Sequence, residues 1–285
     1  MKILGTGLSG LVGSRIIELL NGKYQFESSD IDITDQASIT KKIKESDASI
    51  VLHLAAKTDV DGCEKDKPLG ENGDAWKINV LGTKNIAAAC QDNRKKMIYI
   101  STDFVFDGSS ASAYSEEDSP NPINWYAKTK YEGEKIVQSL STPWVVVRLA
   151  YPYRAEYQRP DFFRAILNRL QNNQPVKAVA DYIFTPTFID DVPLAIDKLV
   201  ESQSTGIYHV VGSQILSPYM AGLLIAKNFT LDVSLVTETT TEEYFKNRAT
   251  RPLYLGIKND KIEKLGVKMK TFEEGLEEIK RQLNI

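Results

Sequence analysis

Six short apolar runs recur along the chain: Lys2–Thr6, Tyr24–Glu27, Ala48–Leu54 (ASIVLHL), Lys96–Ser101 (KMIYIS), Trp144–Leu149 (WVVVRL) and Gly206–Val211 (GIYHVV). Most of them do not alternate apolar with polar residues. A strand without alternation is buried on both faces, which is the situation of a parallel sheet covered by helices on each side. The segments between the early runs have helical spacing. Leu11, Val12, Ile16, Ile17, Leu19 and Leu20 line one face, Thr34-Asp35 reads as a cap before a helix over Ala37–Lys44, and Ala75–Gln91 reads as a long helix. Strand–helix alternation of this kind predicts an α/β chain built on a doubly wound parallel sheet.

Past Leu149 the pattern loosens. Tyr151–Pro160 (YPYRAEYQRP) reads as a loop entering a second lobe, and helices are expected over Asp190–Glu201, Tyr219–Asn228 and Phe272–Leu283. At 285 residues the chain is long enough for about two domains at roughly 150 residues each. The expected division is a dinucleotide-binding domain over 1–150, with 188–212 returning to it. The expected smaller α+β substrate lobe takes 151–187 and 213–285.

Composition narrows the class of partner. The 35 Lys and Arg against 38 Asp and Glu leave a net charge of −3, which lacks the basic excess of a nucleic-acid-binding chain. No stretch reaches the roughly 18 apolar residues of a membrane span, and glycines interrupt MKILGTGLSGLVG too early for a signal segment. A cytoplasmic protein is expected. Cys63 and Cys90 stand apart with no C-x-x-C and no paired His, so neither a metal nor a disulfide is expected. His53 and His209 read as strand or core residues.

Two overlapping glycine registers follow the first strand, Gly5-x-Gly7-x-x-Gly10 and Gly7-x-x-Gly10-x-x-Gly13. A strand, a glycine turn and a helix in that order form a Rossmann-type phosphate site: glycines allow the tight turn, and the backbone comes close to a pyrophosphate at the positive end of the helix. An acidic residue after the second strand would bind a ribose hydroxyl; Asp30, Asp32 and Asp35 are candidates, and Arg15 pulls towards a phosphorylated ribose. NADPH and NADH both remain open.

The sharpest chemical feature is Tyr126-Ala-Lys-Thr-Lys130. Residues i and i+4 share a helix face, so a phenol and an ammonium point into one space, where a cation favours the phenolate. Ser101-Thr102-Asp103 ends a buried strand, at the sheet edge where open α/β folds bind ligands. Asn79, on the preceding helix, could hold a water behind Lys130.

On these motifs the chain resembles the extended short-chain dehydrogenase/reductases, and within them the dTDP-4-dehydrorhamnose reductase family. The likeness runs over most of the chain: Gly7-x-x-Gly10-x-x-Gly13, His53-Leu-Ala-Ala-Lys-Thr-Asp-Val-Asp61 with Cys63-Glu64, Asn79-Val-x-Gly82-Thr-x-Asn85 and Ser101-Thr-Asp-Phe-Val-Phe-Asp-Gly108. It continues through Tyr114-x-Glu116-x-Asp118-x-Pro120, Tyr126-x-x-x-Lys130, Pro186-Thr187 and Arg251-Pro252. The resemblance implies Tyr126 as general acid, Lys130 as ribose ligand and as the cation that depresses the Tyr pKa, and Thr102 and Asn79 as the rest of a tetrad. It implies that Gly7, Leu8, Ser9, Gly10, Leu11, Val12, Gly13, Asp30, Asp32, Leu54, Ala55, Ala56, Lys57 and Ser101 line an NADPH or NADH site together with Tyr126 and Lys130. Thr102, Asp103, Phe104, Tyr151 and Arg251 would meet the substrate. The implied reaction is hydride transfer to C4 of a 4-keto-6-deoxy sugar nucleotide, in an enzyme that can pair as a homodimer.

Three strings depart from the family pattern on the expected substrate side: Arg148-Leu-Ala-Tyr151, Val179-Ala-Asp-Tyr-Ile-Phe-Thr-Pro-Thr187 and Arg251-Pro-Leu-Tyr-Leu255. A 4,6-dehydratase is disfavoured because Phe104 follows Asp103 where those enzymes carry Glu. A sugar-nucleotide epimerase uses the same tetrad. A non-catalytic NADP-binding subunit, resembling the regulatory partner of methionine adenosyltransferase, would keep the glycine loop.

Overall fold

The computed structural model describes all 285 residues, Met1–Ile285. Its first elements are β1 (Lys2–Thr6), α1 (Leu11–Leu20), β2 (Gln25–Ser29), α2 (Gln36–Glu45), β3 (Ile50–His53), α3 (Val60–Asp66), α4 (Asp74–Trp76) and α5 (Thr83–Asp92). Next come β4 (Lys96–Thr102), α6 (Trp125–Gln138), β5 (Trp144–Leu149), β6 (Pro152–Tyr153), α7 (Phe162–Gln171), β7 (Val176–Val179) and β8 (Thr187–Phe188). The chain ends with α8 (Asp191–Glu201), β9 (Gly206–His209), α9 (Pro218–Asn228), β10 (Val236–Thr239), α10 (Thr241–Tyr244), α11 (Asp260–Lys264) and α12 (Phe272–Leu283).

The fold is the expected Rossmann-type one. Six strands form the main sheet in the order β2-β1-β3-β4-β5-β9. β1 pairs in parallel with both β2 and β3, and β3 with β4, in registers such as Leu4↔Val51 and Val51↔Met97. The missing alternation now has its explanation. Leu4, Val51, Met97 and Val146 enter a core with Ile39 and Ile43 of α2, Ile86 of α5 and Val137 of α6. Their neighbours Ile3, Leu52, Ile98, Val145 and Val147 are just as buried, so the same strands are covered twice.

Two expectations shift. The second strand starts at Gln25, because Tyr24 turns its ring into the interior and donates its hydroxyl to Asp197 Oδ1 at 2.5 Å. The helix expected over Ala75–Gln91 is broken into α4, a π-helical turn at Lys77–Gly82, and α5. Asp35 does cap α2, accepting from the Ala37 and Ser38 amides at 3.1 and 3.2 Å.

The chain divides into two compact units. The first is Met1–Val105, Pro120–Arg148 and Ile196–Tyr208; the second is Phe106–Ser119, Leu149–Ala195 and His209–Ile285. The second unit holds two small parallel pairs, β10 with β7 and β6 with β8. Its core is aromatic: the Tyr153 ring lies 5.1 Å from Phe272 and 5.8 Å from Phe163, and Phe162 lies 5.3 Å from Phe184. α9 opens with Ser217 as cap and Pro218 in its first turn, where a missing amide costs nothing. α12 opens with a full capping box from Thr271 and Glu274. No helix of the chain is long and apolar enough to cross a membrane.

The double-sided core fixes the scale of a packing defect. Ile39→Ala, which empties a fully buried position of α2, is expected to cost about 3 kcal/mol, read as a lower midpoint in denaturant. Leu19→Ala, on the exposed side of α1, should change the same midpoint by less than about 0.5 kcal/mol.

Candidate active site

β1 runs into the glycine turn, and the backbone there leaves no room for side chains. Gly7 has φ +68°, and a Cβ on it would stand 2.7 Å from the Ala55 amide nitrogen. A Cβ on Gly13 would stand 2.6 Å from the Leu8 Cα. The turn is closed by the Gly10 amide donating to the Gly7 carbonyl at 3.1 Å. Gly10 precedes α1 without any side-chain cap, so the amides of Leu11, Val12 and Gly13 meet no capping group and are disposed to receive an anion. Leu8 is buried and Ser9 exposed.

Of the acidic candidates after β2, the structure separates one. Asp32 accepts from Thr34 N and Oγ1 at 2.9 and 2.8 Å, a local turn that holds its carboxyl below the usual range. Asp35 is occupied as the α2 cap. Asp30 is exposed and only receives the Ser28 hydroxyl at 3.0 Å.

β3 leads into Leu54, Ala55, Ala56 and Lys57. The Leu54 amide donates to Thr6 O at 3.1 Å, which ties this segment to the end of β1. Asn79 grips its far end: Oδ1 accepts from the Lys57 amide at 2.8 Å, while Nδ2 donates to Lys57 O at 3.0 Å and to Thr129 Oγ1 at 2.9 Å. Asn79 therefore spends its amide on backbone and on α6, where the sequence suggested a water behind Lys130. Its place in the π-helical turn is what aims it there. The Lys57 ammonium pairs with Asp66 at 2.7 Å.

α6 starts at the Asn124 cap, which accepts from the Ala127 amide at 2.9 Å, and carries Tyr126 and Lys130 on its buried side. Lys130 is only 2% exposed. Its ammonium donates to Ile100 O at 2.7 Å and lies 4.1 Å from the centre of the Tyr99 ring. Burial pulls it down to about 7, and the Glu134 carboxylate opposes that shift. Burial also pushes the Tyr126 phenol above its ordinary value, and a hydrogen bond with Thr102 only partly offsets this. The sequence expectation was a phenol lowered by Lys130. Loss of water outweighs that attraction here, because the ammonium is turned to Ile100 and Tyr99.

At the end of β4, Thr102 donates to Asp103 Oδ1 at 3.0 Å. Asp103 is 1% exposed, its Oδ2 has no partner, and burial pushes the carboxyl up to about 7. The Ser101 hydroxyl is likewise buried without a partner. Phe104 sets its ring edge-on to Tyr126, with centroids 6.0 Å apart. The first unit thus brings Tyr126, Lys130, Thr102, Asp103, Phe104 and Asn79 to one wall. Tyr151 and Arg251 belong to the second unit. There Tyr151, at φ +42°, shares a 2.7 Å hydrogen bond with the Tyr182 hydroxyl and packs 4.8 Å from Phe184. Arg251 donates to Ala249 O at 2.6 Å over the Phe245 ring. The bulky Tyr182 and Phe184 are thereby part of that unit's aromatic core.

Two features escaped the sequence reading. His53 lies in a polar chain: Thr83 donates to Asn79 O at 2.7 Å, so its oxygen receives His53 Nε2 at 3.1 Å, and Nδ1 accepts from Thr6 at 2.7 Å. Burial holds that imidazole down at about 3, hence neutral. The second is a bidentate ion pair, Arg148 Nε and Nη2 to Glu134 at 3.0 and 2.8 Å, with the two side chains 1% and 0% exposed. The signal was present, since a charged residue inside WVVVRL must find a buried partner.

Comparison with known proteins identifies a family. The pattern of a protein family described as RmlD substrate binding domain matches residues 1–285. The spore coat polysaccharide biosynthesis protein SpsK of Bacillus subtilis is 30% identical over 281 residues, covering 97% of this chain and 96% of SpsK. The dTDP-4-dehydrorhamnose reductase of Aggregatibacter actinomycetemcomitans is 29% identical, covering 98% of each. The crystal structure of dTDP-4-dehydrorhamnose reductase from Bacillus anthracis in complex with NADP superposes with a TM-score of 0.90 at 31% identity over 99% of both chains.

The glycine turn makes a direct expectation. Gly13→Ala should weaken NADPH binding by at least about tenfold, measured by nucleotide fluorescence, because the clashing atoms are backbone and the turn must open. Gly22→Ala, where a Cβ meets nothing within 4 Å, should leave the same titration unchanged.

Proposed function

The chain belongs to the RmlD substrate binding domain family, and from that premise we propose that it reduces the C4 keto group of a 4-keto-6-deoxy sugar nucleotide with NADPH or NADH. This is the reaction of a dTDP-4-dehydrorhamnose reductase, the name carried by its relatives. The observation that carries the reading is the single wall that holds Tyr126, Thr102, Lys130 and Asn79 in the unit that also carries the glycine turn.

The residues present fit a dinucleotide. The cradle at Gly7 and Gly13 is one that a Cβ would fill, and the small Ala55 and Ala56 leave backbone open beside it. Gly7 to Gly13 would hold the pyrophosphate, Asp30 a ribose hydroxyl, and Leu54 to Lys57 with Ser101 the remaining edge. When bound, the reduced nicotinamide supplies the hydride. Tyr126 holds its proton at Oη throughout the neutral range and gives it to the substrate oxygen as that oxygen becomes an alkoxide. Thr102 orients the carbonyl through the hydroxyl it sets beside the phenol. Asp103, neutral below about pH 7, turns its unpartnered oxygen to a sugar hydroxyl. The Lys130 ammonium binds ribose hydroxyls and steadies the phenol as its proton leaves. Asn79 keeps the Leu54–Lys57 segment in register with α6. Tyr151 and Arg251 of the second unit are assigned to the sugar nucleotide. A cytoplasmic location and a homodimeric assembly belong to the same proposal, as does the domain division at residue 150.

Tyr126→Phe should retain NADPH affinity and lower turnover by about 10² or more, the scale of losing a general acid. Turnover is followed as net loss of nicotinamide absorbance with a panel of 4-keto-6-deoxy sugar nucleotides. Equal rates for variant and wild type would remove the assigned role. The pH dependence has a definite sign. Lys130 is charged below about 7 and neutral above it, and Asp103 loses its proton over the same range. Thus kcat/KM for the dinucleotide, which reports the free enzyme, should be flat on the acid side and fall as pH rises through about 7.

A further inference from the structure

Tyr126, Lys130 and Glu134 follow one another at intervals of four along α6, so they share one stripe of the helix. All three are buried, Glu134 completely. Both carboxylate oxygens of Glu134 are taken by Arg148 of β5. The order along the wall is therefore a phenol, a cation, an anion and a second cation. If the pair served packing alone, two apolar side chains would do as well, because a buried ion pair rarely gains over its hydrophobic replacement. What it supplies in addition is a negative charge one helical turn from Lys130.

Of the charged groups near Lys130, Glu134 is the one that holds its ammonium charged against burial. Tyr99 of β4 is buried and its phenol is pushed far up, so it is neutral. His53 of β3 is neutral as well. Asp103, after β4, is close to half neutralised at pH 7. On α3, the Cys63 thiol is pushed up to about 12, and Glu64 accepts the Trp125 amide at 2.7 Å. On α5 the Cys90 thiol is pushed up to about 12. Asp74 on α4 and Lys77 in the π-helical turn are exposed.

We infer that Glu134, anchored by Arg148, is a positioning residue that keeps the Lys130 ammonium charged and in place within a wall closed to water. The inference rests on the reductase reading for its consequence but not for its direct observable. Arg148 fixes where the carboxylate stands, so the anion serves Lys130 without leaving its partner. Removing Glu134 alone leaves Arg148 buried without its anion and takes away the charge one helical turn from Lys130. Removing both leaves Lys130 with no anion of its own.

The test titrates Lys130 itself in the full-length protein without ligand, by ¹³Cε lysine NMR, with its resonance identified by its loss in Lys130→Ala. Glu134→Gln is compared with wild type. A charge-free double variant, Glu134→Leu with Arg148→Leu, is included because the single change strands an arginine in the core. Lys130 is expected to lose its proton about one pH unit lower in Glu134→Gln, and lower by a smaller amount in the double variant. The fall in kcat/KM should move by the same amount, giving about a tenfold loss for Glu134→Gln on the alkaline side of neutrality and little loss at pH 6. A Lys130 titration that stays put in the folded double variant, even with a lowered Tm, would make the pair purely structural and overturn the inference. The rates decide the reductase reading separately: wild-type protein that reduces no 4-keto sugar nucleotide, or Lys130→Ala with unimpaired rates, would sink that reading while the resonance still decides the role of Glu134.

Discussion

Lys130 sits where water does not reach, and its ammonium must find every partner within the protein. A buried ammonium is costly unless it is paired and hydrogen-bonded, and the surroundings of α6 can be read as the response to that cost. The Ile100 carbonyl accepts from the ammonium at 2.7 Å, two residues before β4 ends. The Tyr99 ring lies under the charge, and its hydroxyl donates to Lys130 O at 3.3 Å, holding the helix at that level. Gly133 is required by the same contact, since a Cβ there would stand 2.4 Å from the Tyr99 oxygen. One side chain thus constrains residues on β4 and on α6.

The polar chain through His53 extends this constraint to the glycine turn. Thr6 is the last residue of β1, and its hydroxyl is bonded to His53, which is bonded to Thr83, which is bonded to the carbonyl of Asn79. Asn79 then clamps Lys57 and Thr129. The glycine turn and α6 are therefore connected through two strands, β1 and β3, by groups that are nearly all satisfied. Satisfied buried networks of this kind specify one arrangement of the backbone, because any slip leaves a polar group unpaired in low dielectric. The π-helical turn fits this account. An extra residue in the helix at Lys77–Gly82 lets Asn79 reach across to Lys57 while Thr83 points back to His53.

Much of this was legible in the residues. Apolar runs without alternation pointed to a parallel sheet, and the strand–glycine–helix order pointed to the phosphate turn. The spacing of Tyr126 and Lys130, with Thr102 at a strand end, pointed to the chemistry. What stayed hidden has physical reasons. The Ile100 contact is made by a backbone carbonyl, which leaves no mark on residue identity. The π-helical turn is a change of backbone register in a segment whose composition is ordinary for a helix. Asp30, Asp32 and Asp35 look alike in sequence, and only local turn geometry divides them into an exposed carboxylate, an Asx turn and a cap. Arg148 lies within the apolar run WVVVRL, yet pairing it with Glu134 needs the distance between α6 and β5. Tyr182 and Phe184 were read as substrate-side departures because sequence cannot tell a pocket wall from an aromatic core.

The state of the protons favours one direction of chemistry. Burial raises Tyr126 and Asp103 and lowers Lys130, so all three shifts come from the same loss of water acting on groups of opposite charge type. For the two acids it keeps the proton on. For the base it eases the proton off, and the Glu134 carboxylate restrains it. A wall so arranged holds its proton at the phenol, and below about pH 7 at the carboxyl too, in the ligand-free protein, which suits donation to an oxygen that gains negative charge. An enzyme whose first step abstracts a proton from a hydroxyl would need the phenolate before substrate arrives, and here nothing but Lys130 could supply the necessary field, from an ammonium already committed to Ile100 and Tyr99. Reduction of a carbonyl asks only that the proton leave once the alkoxide forms, when the developing charge itself pulls it away.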